Sequence, residues 1–193
     1  MGTFITRCLR NLLMAATVLT AWAAALAQAP TYQLGRAPTS EEIKNWDIAV
    51  GPSGKELPPG SATAKEGAKV FAQRCAGCHG TDGEGKLAKR LVGGRETLTT
   101  LRPLKTTGSF WPFATSIWDT INRGMPYDKP GSLSADEVYA VTAFLLYKSG
   151  IIQETDVMDA KTLPKVKMPN RDNFIPQRVE DIPKVRCRLG TCP

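Results

Sequence analysis

The most constraining feature of this sequence is a pair of cysteines followed at once by the only histidine, in the motif Cys75-Ala76-Gly77-Cys78-His79. Two thiols at this spacing can each add to a vinyl group of haem, and the adjacent histidine is placed to ligate the iron. Covalent attachment also holds a large cofactor in a small domain without a closed pocket. The motif therefore predicts one covalent haem c, attached through Cys75 and Cys78 and ligated by His79.

Two other uses of such a cysteine pair fit this chain less well. A thioredoxin-like redox pair follows a β-strand, whereas Thr63 and Glu66 form a capping box that opens a helix leading into Cys75. A structural zinc site needs four ligands, and the other cysteines of the mature chain, Cys187 and Cys192, lie more than a hundred residues away. The single histidine also excludes bis-histidine haem ligation and multi-histidine metal sites.

The N-terminal segment has the features of a secretory signal peptide. Arg7 and Arg10 form a positive start without acidic residues, an apolar run follows from Leu12, and Ala25 and Ala27 supply the small residues that a signal peptidase reads. An uncleaved anchor is the competing interpretation, but sixteen residues are short for a membrane span, which needs about 20. We expect residues 1–27 to be removed, with export to the periplasm and no membrane span in the mature chain.

The length of 193 residues allows one compact domain with extensions. A hydrophobic fraction of 42% and a charged fraction of 22% are those of a globular protein rather than of a disordered one. Pro and Gly are frequent at 28–60, and the basic surplus lies near the C-terminus. We therefore expect a compact core at 61–152 between irregular extensions at 28–60 and 153–193.

Helix signals dominate that core. Three segments begin with a capping box, in which Ser or Thr is followed three residues later by Glu. The predicted helices run from Thr39 to Trp46, from Thr63 to Cys75 and from Ser134 to Gly150. A fourth helix is predicted from Ser116 to Arg123, where Ile117, Trp118 and Ile121 have helical spacing. No run of alternating residues predicts a strand, so the fold class is expected to be all-α.

An iron with one histidine ligand needs a sixth ligand or an open position, and a methionine thioether can supply it. Met125 lies in a non-helical turn between two predicted helices, and Pro126 follows it. Met168 also precedes a proline and is the rival, whereas Met158 lies in a polar stretch; most methionines simply pack in cores. Because the chain reaches Met168 only after the core has closed, we expect Met125 to be the distal ligand.

Residues 63–150 resemble a class I c-type cytochrome. The resemblance rests on a helix with Gly67 and Phe71, the Cys-x-x-Cys-His motif, a methionine loop, and a last helix with Tyr139 and Phe144. In that family the glycine lets the first and last helices cross closely, and aromatic residues pack at the crossing. A proline carbonyl often orients the histidine in that family, but Lys89-Arg90-Leu91 occupies the corresponding neighbourhood here, which leaves the acceptor open.

The resemblance extends to the cytochrome subunits of periplasmic sulfite and sulfur dehydrogenases, as in Sox-type sulfur oxidation. Segments along nearly all of the mature chain carry it: Trp46-Asp47-Ile48, Leu57-Pro58-Pro59-Gly60-Ser61, Leu91-Val92-Gly93-Gly94, Trp111-Pro112-Phe113-Ala114, residues 123–152, Thr162-Leu163-Pro164-Lys165-Val166 and Met168-Pro169-Asn170-Arg171. It implies a one-electron acceptor for a molybdenum-containing dehydrogenase subunit that passes electrons to a downstream cytochrome or oxidase. Some members carry two haems, but one motif and one histidine support a single haem here.

A haem peroxidase or ligand sensor with a dissociable methionine is the alternative function. A peroxidase would need a distal acid-base group, and the chain has no second histidine. A free-standing carrier is disfavoured by the long extensions. Catalysis is therefore expected on a partner subunit rather than on this chain.

Charge and the remaining side chains lead to further expectations. Residues 28–160 are electrically balanced, while residues 161–193 carry eight basic and three acidic side chains, which fits a solvated tail or a contact with an acidic partner. Nucleic acid is not expected as a partner of an exported chain without a recognition motif.

Cys187 and Cys192 are expected to form a small disulfide in an oxidising compartment. The remaining expectations concern the haem pocket: walls from Trp111, Phe113 and Trp118, and propionate contacts from Arg95 and Arg123.

Overall fold

The computed structural model describes residues 34–175. The predicted signal peptide at 1–27 and the Cys187–Cys192 pair lie outside the described residues. The chain divides into two units, Met1–Asn45 and Trp46–Pro193. Among the described residues, no helix combines the length and the apolar character that crossing a membrane requires.

Helices make up most of the regular structure, which confirms the predicted all-α class. The helices are α1 (Ser40–Trp46), α2 (Ala64–Arg74), α3 (Ala76–His79), α4 (Ala114–Gly124) and α5 (Ala135–Lys148). Within residues 34–175, three single 3₁₀ turns are present at Arg95–Thr97, Leu163–Lys165 and Arg171–Asn173, and two short strands, β1 (Ser61–Ala62) and β2 (Met158–Asp159), pair antiparallel. The sequence did not predict α3 or the strand pair.

All three predicted capping boxes form. At α1, Thr39 N–H donates to the Glu42 carboxylate over 2.7 Å, and Glu42 N–H donates to Thr39 Oγ1 over 3.2 Å. The hydrogen bond from Arg36, together with that from Thr39 N–H, lowers the pKa of Glu42 to about 2. Reciprocal bonds of the same kind start α2 and α5. Each box satisfies N–H groups that a helix start leaves without partners, which is why these boundaries were predictable.

The close crossing of α2 and α5 is the centre of the core. Gly67 lies so near α5 that a Cβ at this position would come within 1.9 Å of the Ala140 carbonyl oxygen. The rings of Phe71 and Phe144 pack beside the crossing, with centroids 4.8 Å apart. The role that the family resemblance gives to Gly67 and the aromatic residues is confirmed.

Helix α4 packs against α5 through Trp118 and Tyr139, whose ring centroids lie 5.5 Å apart. It begins at Ala114, two residues before the predicted start at Ser116. No side chain caps this start, because Phe113 occupies the N-cap position, and the usual sequence signal is therefore missing. The Tyr139 hydroxyl donates to the Pro58 carbonyl over 2.9 Å, which ties the segment before β1 to α5.

The segment after α5 folds back onto this core. Strand β2 pairs with β1, with Ser61 opposite Asp159, and Leu163 and Met168 are fully buried. The Asn170 side-chain amide donates to the Phe110 carbonyl over 2.9 Å. Residues 158–170 therefore belong to the same hydrophobic core as the helices, although their sequence lacks helical periodicity.

Candidate functional site

A cavity of about 360 Å³ opens beside the Cys-x-x-Cys-His motif. Its wall is mainly aliphatic, with side chains contributed by the loop after the motif, by α4 and by α5: Leu87, Ala88, Leu91, Ile121, Val141 and Leu145. Cys75, Cys78, His79 and Met125 line the same cavity. The fold thus brings together all four residues that the sequence predicts as haem attachment points and iron ligands.

The cysteine pair is placed by the end of α2. Cys75 is the C-cap of this helix, and its N–H donates to the Phe71 carbonyl over 2.9 Å. The turn α3 follows directly, leaving the Cys75 side chain half-buried and Cys78 exposed. Burial, with a smaller effect from Cys78, raises the pKa of the Cys75 thiol to about 11. A redox-active pair needs a lowered thiol pKa, so this environment opposes thioredoxin-like chemistry.

The loop after the motif positions the histidine. Gly85 N–H donates to the His79 carbonyl over 2.7 Å, and Ala88 N–H donates to the Cys78 carbonyl over 2.8 Å. These bonds fold the loop back onto the motif and bring the Lys89 carbonyl oxygen within 2.9 Å of His79 Nδ1. A carbonyl only accepts, so Nδ1 donates this hydrogen bond, and Nε2 of the neutral ring keeps its lone pair for a metal.

Met125 reaches the cavity from the end of α4. It is the C-cap residue, its backbone is extended, and its N–H donates to the Ile121 carbonyl over 3.0 Å. The side chain is partly buried at the cavity wall, next to Pro126 and Tyr127. The chain leaves the helix at this point, so the methionine comes from a backbone position fixed by the last turn of α4.

The other two methionines lie elsewhere. Met158 is buried in β2. Met168 has an exposure of 2% and lines a second cavity, of about 330 Å³, together with Arg95, Lys167 and Asp172. Neither residue lines the cavity beside His79. This placement favours Met125 over Met168 as a partner of His79.

Comparison with known proteins agrees with this arrangement. Residues 62–145, which include the motif and Met125, match the family model described as cytochrome C oxidase, cbb3-type, subunit III. Among solved structures, the sulfane dehydrogenase SoxCD from Paracoccus pantotrophus matches with 38% sequence identity and a TM-score of 0.69, covering 84% of this chain and 83% of that chain. The chain belongs to the c-type cytochrome family. Curated proteins gave no significant match to this cytochrome.

The side chains of the cavity fit haem c, the cofactor of this family. Two thiols, one imidazole nitrogen with a free lone pair and one thioether face a mainly apolar space. Its volume falls within the range of small-molecule and cofactor sites, roughly 300–1,000 Å³. These are the donors that attach and ligate haem in c-type cytochromes.

One expectation about the pocket of this cytochrome is wrong, and a second stays a prediction. Trp111, Phe113 and Trp118 do not line the cavity, and Trp118 packs in the core against Tyr139 instead. The helical spacing of Trp118 marked a buried face without showing what that face contacts. The propionate contacts of Arg95 and Arg123 stay a prediction: neither residue lines this cavity, Arg123 forms an ion pair with Asp119, and Arg95 lines the second cavity.

Sequence reasoning missed the Lys89 carbonyl as the partner of His79. Every residue has a backbone carbonyl, so the sequence does not show which one accepts the hydrogen bond. Lys89 also occupies the position where the family resemblance suggests a proline. The only available signal was the position of Lys89, ten residues after the histidine in a glycine-rich loop.

Proposed function

We propose that this cytochrome carries one haem c and serves as the electron-accepting subunit of a molybdenum-dependent sulfite or sulfur-compound dehydrogenase in the periplasm. The observation that carries the proposal is the single cavity that joins Cys75, Cys78, His79 and Met125. One Cys-x-x-Cys-His motif and one histidine support a single haem. When bound, haem c supplies a one-electron couple between Fe(III) and Fe(II).

Cys75, Cys78, His79 and Met125 have distinct roles in this proposal. Cys75 and Cys78 would hold the haem covalently, because a thiol can add its S–H across a vinyl double bond without an oxidant. His79 would bind the iron through Nε2, and the Lys89 carbonyl holds its ring in place through Nδ1. Met125 would supply a thioether ligand, and such a ligand raises the reduction potential.

The aliphatic wall supports electron transfer rather than substrate chemistry. Leu87, Leu91, Ile121, Val141 and Leu145 offer no acid or base, and they make the wall of the cofactor site apolar. No second histidine is available for distal acid-base catalysis. We therefore place catalysis on a partner subunit, and this chain accepts single electrons and passes them to a downstream cytochrome or oxidase.

The partner is inferred from the similarity to the sulfane dehydrogenase SoxCD, which spans most of both chains. The proposed periplasmic location rests on the signal-like residues 1–27. The division into extensions at 28–60 and 153–193 around a core at 61–152 remains part of the proposal.

Reduction in the presence of a sulfur compound tests the function. The haem-loaded chain is purified through an affinity tag from its native host, and the co-purifying proteins are analysed for molybdenum. We expect a molybdenum protein to co-purify, and the spectrum of the reduced cytochrome to appear when sulfite or thiosulfate is added. When sulfite or thiosulfate is added to the isolated cytochrome, the spectrum of the reduced form should not appear.

Intact mass provides the matching control for cofactor content. We expect a chain beginning at Gln28 with one covalent haem that acid acetone does not extract. Oxidation of sulfite or destruction of peroxide at enzyme-like rates by the isolated cytochrome would contradict the subunit role.

A further inference from the structure

Two segments outside the range of the family match pack into the hydrophobic core. The match covers residues 62–145, and one of these segments precedes that range while the other follows it. Their buried side chains are Val50, Leu57, Met158, Leu163 and Met168. The chain therefore adds buried apolar contacts around a haem-binding core that the family model describes without them.

The two outer segments contact each other and helix α4. Strand β1 pairs with β2, which joins the chain before α2 to the chain after α5. A Cβ at Gly54 would lie 2.5 Å from Pro164 Cγ, so the turn at Gly54 closely approaches the 3₁₀ turn Leu163–Lys165. That 3₁₀ turn also contacts α4. We call residues 50–61 and 158–170 the brace, because they pack together against the helix that bears Met125.

Asp119 joins α4 to the brace through hydrogen bonds. Its Oδ1 accepts the Val50 N–H over 2.9 Å, from a residue 69 positions earlier in the chain. The same carboxylate accepts two bonds from Arg123, which lies one turn further along α4. Met125 follows two residues later. One buried carboxylate thus connects the brace to the last turn before the methionine.

Asp119 and the cavity lie on different sides of α4. Ile121 and Met125 line the cavity, whereas Asp119 does not. Successive residues of an α-helix are about 100° apart around its axis, so the side chains of Asp119 and Ile121 leave the helix about 200° apart. Asp119 can therefore influence the cavity only through the position of the helix.

The loop after Met125 depends on α4 for its position. Pro126 has no N–H to donate. Among the described residues, the backbone hydrogen bonds of this loop are local: Lys129 N–H donates to the Pro126 carbonyl over 2.9 Å, and Ser132 N–H donates to the Lys129 carbonyl over 3.3 Å. The methionine is thus held by the bond from its own N–H to the Ile121 carbonyl, at the end of the helix that Asp119 anchors.

We propose that Asp119 is a positioning residue for Met125: by holding α4 to the brace, it keeps the thioether at the cavity and opposes its release from the haem iron. The inference rests on the proposed function, in which Met125 ligates that iron. Without the carboxylate, the Val50 N–H and the Arg123 guanidinium lose their partner, and the last turn of α4 opens more often. The brace therefore favours permanent methionine ligation over the dissociable ligation of a haem sensor.

Asp119→Ala tests the proposal, with Asp136→Ala as the matched control. Asp136 lies in the first turn of α5, and its Oδ1 also accepts a backbone N–H from the brace, that of Ser61 over 2.8 Å. Both substitutions remove one negative charge and one hydrogen bond to the brace, but only Asp119 lies on the helix that bears Met125. Asp119→Asn is the conservative variant, because its amide oxygen can still accept the Val50 N–H while its NH₂ group offers Arg123 no acceptor.

The first readout is the binding of imidazole to the oxidised full chain. Imidazole competes with the thioether for the iron, so its apparent affinity rises with the fraction of molecules in which Met125 is released. We expect Asp119→Ala to raise this affinity about tenfold, and Asp136→Ala to change it by less than about twofold. Asp119→Asn should have an intermediate effect. Met125→Ala sets the upper limit, because no thioether then competes at that position.

The second readout needs no haem. Exchange of the Met125 N–H with deuterated solvent reports the opening of the last turn of α4, because this N–H is bonded to the Ile121 carbonyl over 3.0 Å. We expect Asp119→Ala to speed this exchange about tenfold and Asp136→Ala to leave it nearly unchanged. If the chain carried no haem, the proposed function would fail, while hydrogen exchange would still show whether Asp119 holds Met125.

Three results would overturn the proposal. The first is an unchanged imidazole affinity in Asp119→Ala, even if exchange at Met125 became faster. The second is an equal effect of Asp119→Ala and Asp136→Ala, which would indicate a general loosening of the brace. The third is an imidazole affinity of Asp119→Ala that rises steeply with low concentrations of urea, because release of the thioether would then follow unfolding of the whole chain rather than the opening of one turn.

Discussion

Asp119 shows how a single residue connects the methionine-bearing helix to the rest of the core. Its Oδ1 accepts the Val50 N–H over 2.9 Å and the Arg123 Nε–H over 2.9 Å, and its Oδ2 accepts a second bond from Arg123. Arg123 lies two residues before Met125. The buried carboxylate therefore fixes the last turn of α4 against the segment at Val50.

Asp119→Asn should destabilise the chain in a pH-dependent way. Burial raises the pKa of Asp119, but the hydrogen bonds from Arg123 and Val50 outweigh it, and the net pKa lies below its ordinary value of 3.8. Such a carboxylate stabilises the fold at neutral pH, and the contribution is lost as the pH falls through the lowered pKa. We expect the substitution to reduce the free energy of unfolding by about 2 kcal/mol at pH 7. Chemical denaturation of both proteins at a series of pH values measures this difference in the free energy of unfolding.

The control for this prediction is Asp47→Asn, an exposed carboxylate. It should leave the free energy of unfolding nearly unchanged. A loss for Asp119→Asn that stays constant as the pH is lowered below 3 would contradict the electrostatic explanation and indicate a packing defect.

The sequence identified the four candidate ligand and attachment residues because their chemistry is local. Cys75, Cys78 and His79 form one motif, and the turn around Met125 is marked by its proline. The Lys89 carbonyl could not be found in this way, because every residue carries the same backbone acceptor. The Trp118 prediction failed because spacing identifies a buried face but not its neighbour.

Whole elements were predictable where their ends carry side-chain signals. The capping boxes place the starts of α2 and α5, and Thr39 does the same for α1. The turn α3 and the two-residue strands are too short to show any periodicity, and they form because the surrounding core holds them. Their existence is a consequence of packing rather than of local preference.

Gly67→Ala should damage the α2–α5 crossing. A Cβ at Gly67 would lie 1.9 Å from the Ala140 carbonyl oxygen, so the two helices would have to move apart. We expect a loss of about 3 kcal/mol in the free energy of unfolding, measured by chemical denaturation of the haem-loaded chain. Gly124→Ala is the control, because a Cβ there meets nothing within 4 Å. An equal effect of the two substitutions would show that the close crossing does not explain the need for glycine at position 67.

The whole molecule depends on the segment after α5 more than its irregular sequence indicates. Leu163 and Met168 are completely or almost completely buried, and β2 pairs with β1 at the start of the core. Residues with no helical pattern thus contribute to the same core as α2, α4 and α5. Sequence periodicity does not report such packing, because 3₁₀ turns and two-residue strands leave no repeating pattern.

Leu163→Ala should therefore destabilise the whole core. Removing a fully buried leucine side chain leaves a cavity, and we expect a loss of about 3 kcal/mol in the free energy of unfolding. Val157→Ala, at a position 48% exposed in the same segment, should cost far less. Thermal and chemical denaturation of the two variants would measure both losses in the free energy of unfolding. Equal and small losses would show that the segment is only loosely attached to the helical core.

The central claim is that His79 and Met125 together hold the iron of one haem c. A thioether bound to ferric iron gives a weak charge-transfer absorption in the far red, so the oxidised spectrum reports the ligand directly. We predict that Met125→Ala abolishes this band and lowers the reduction potential, while Met168→Ala leaves both nearly unchanged. Survival of the band in Met125→Ala, together with its loss in Met168→Ala, would contradict the account.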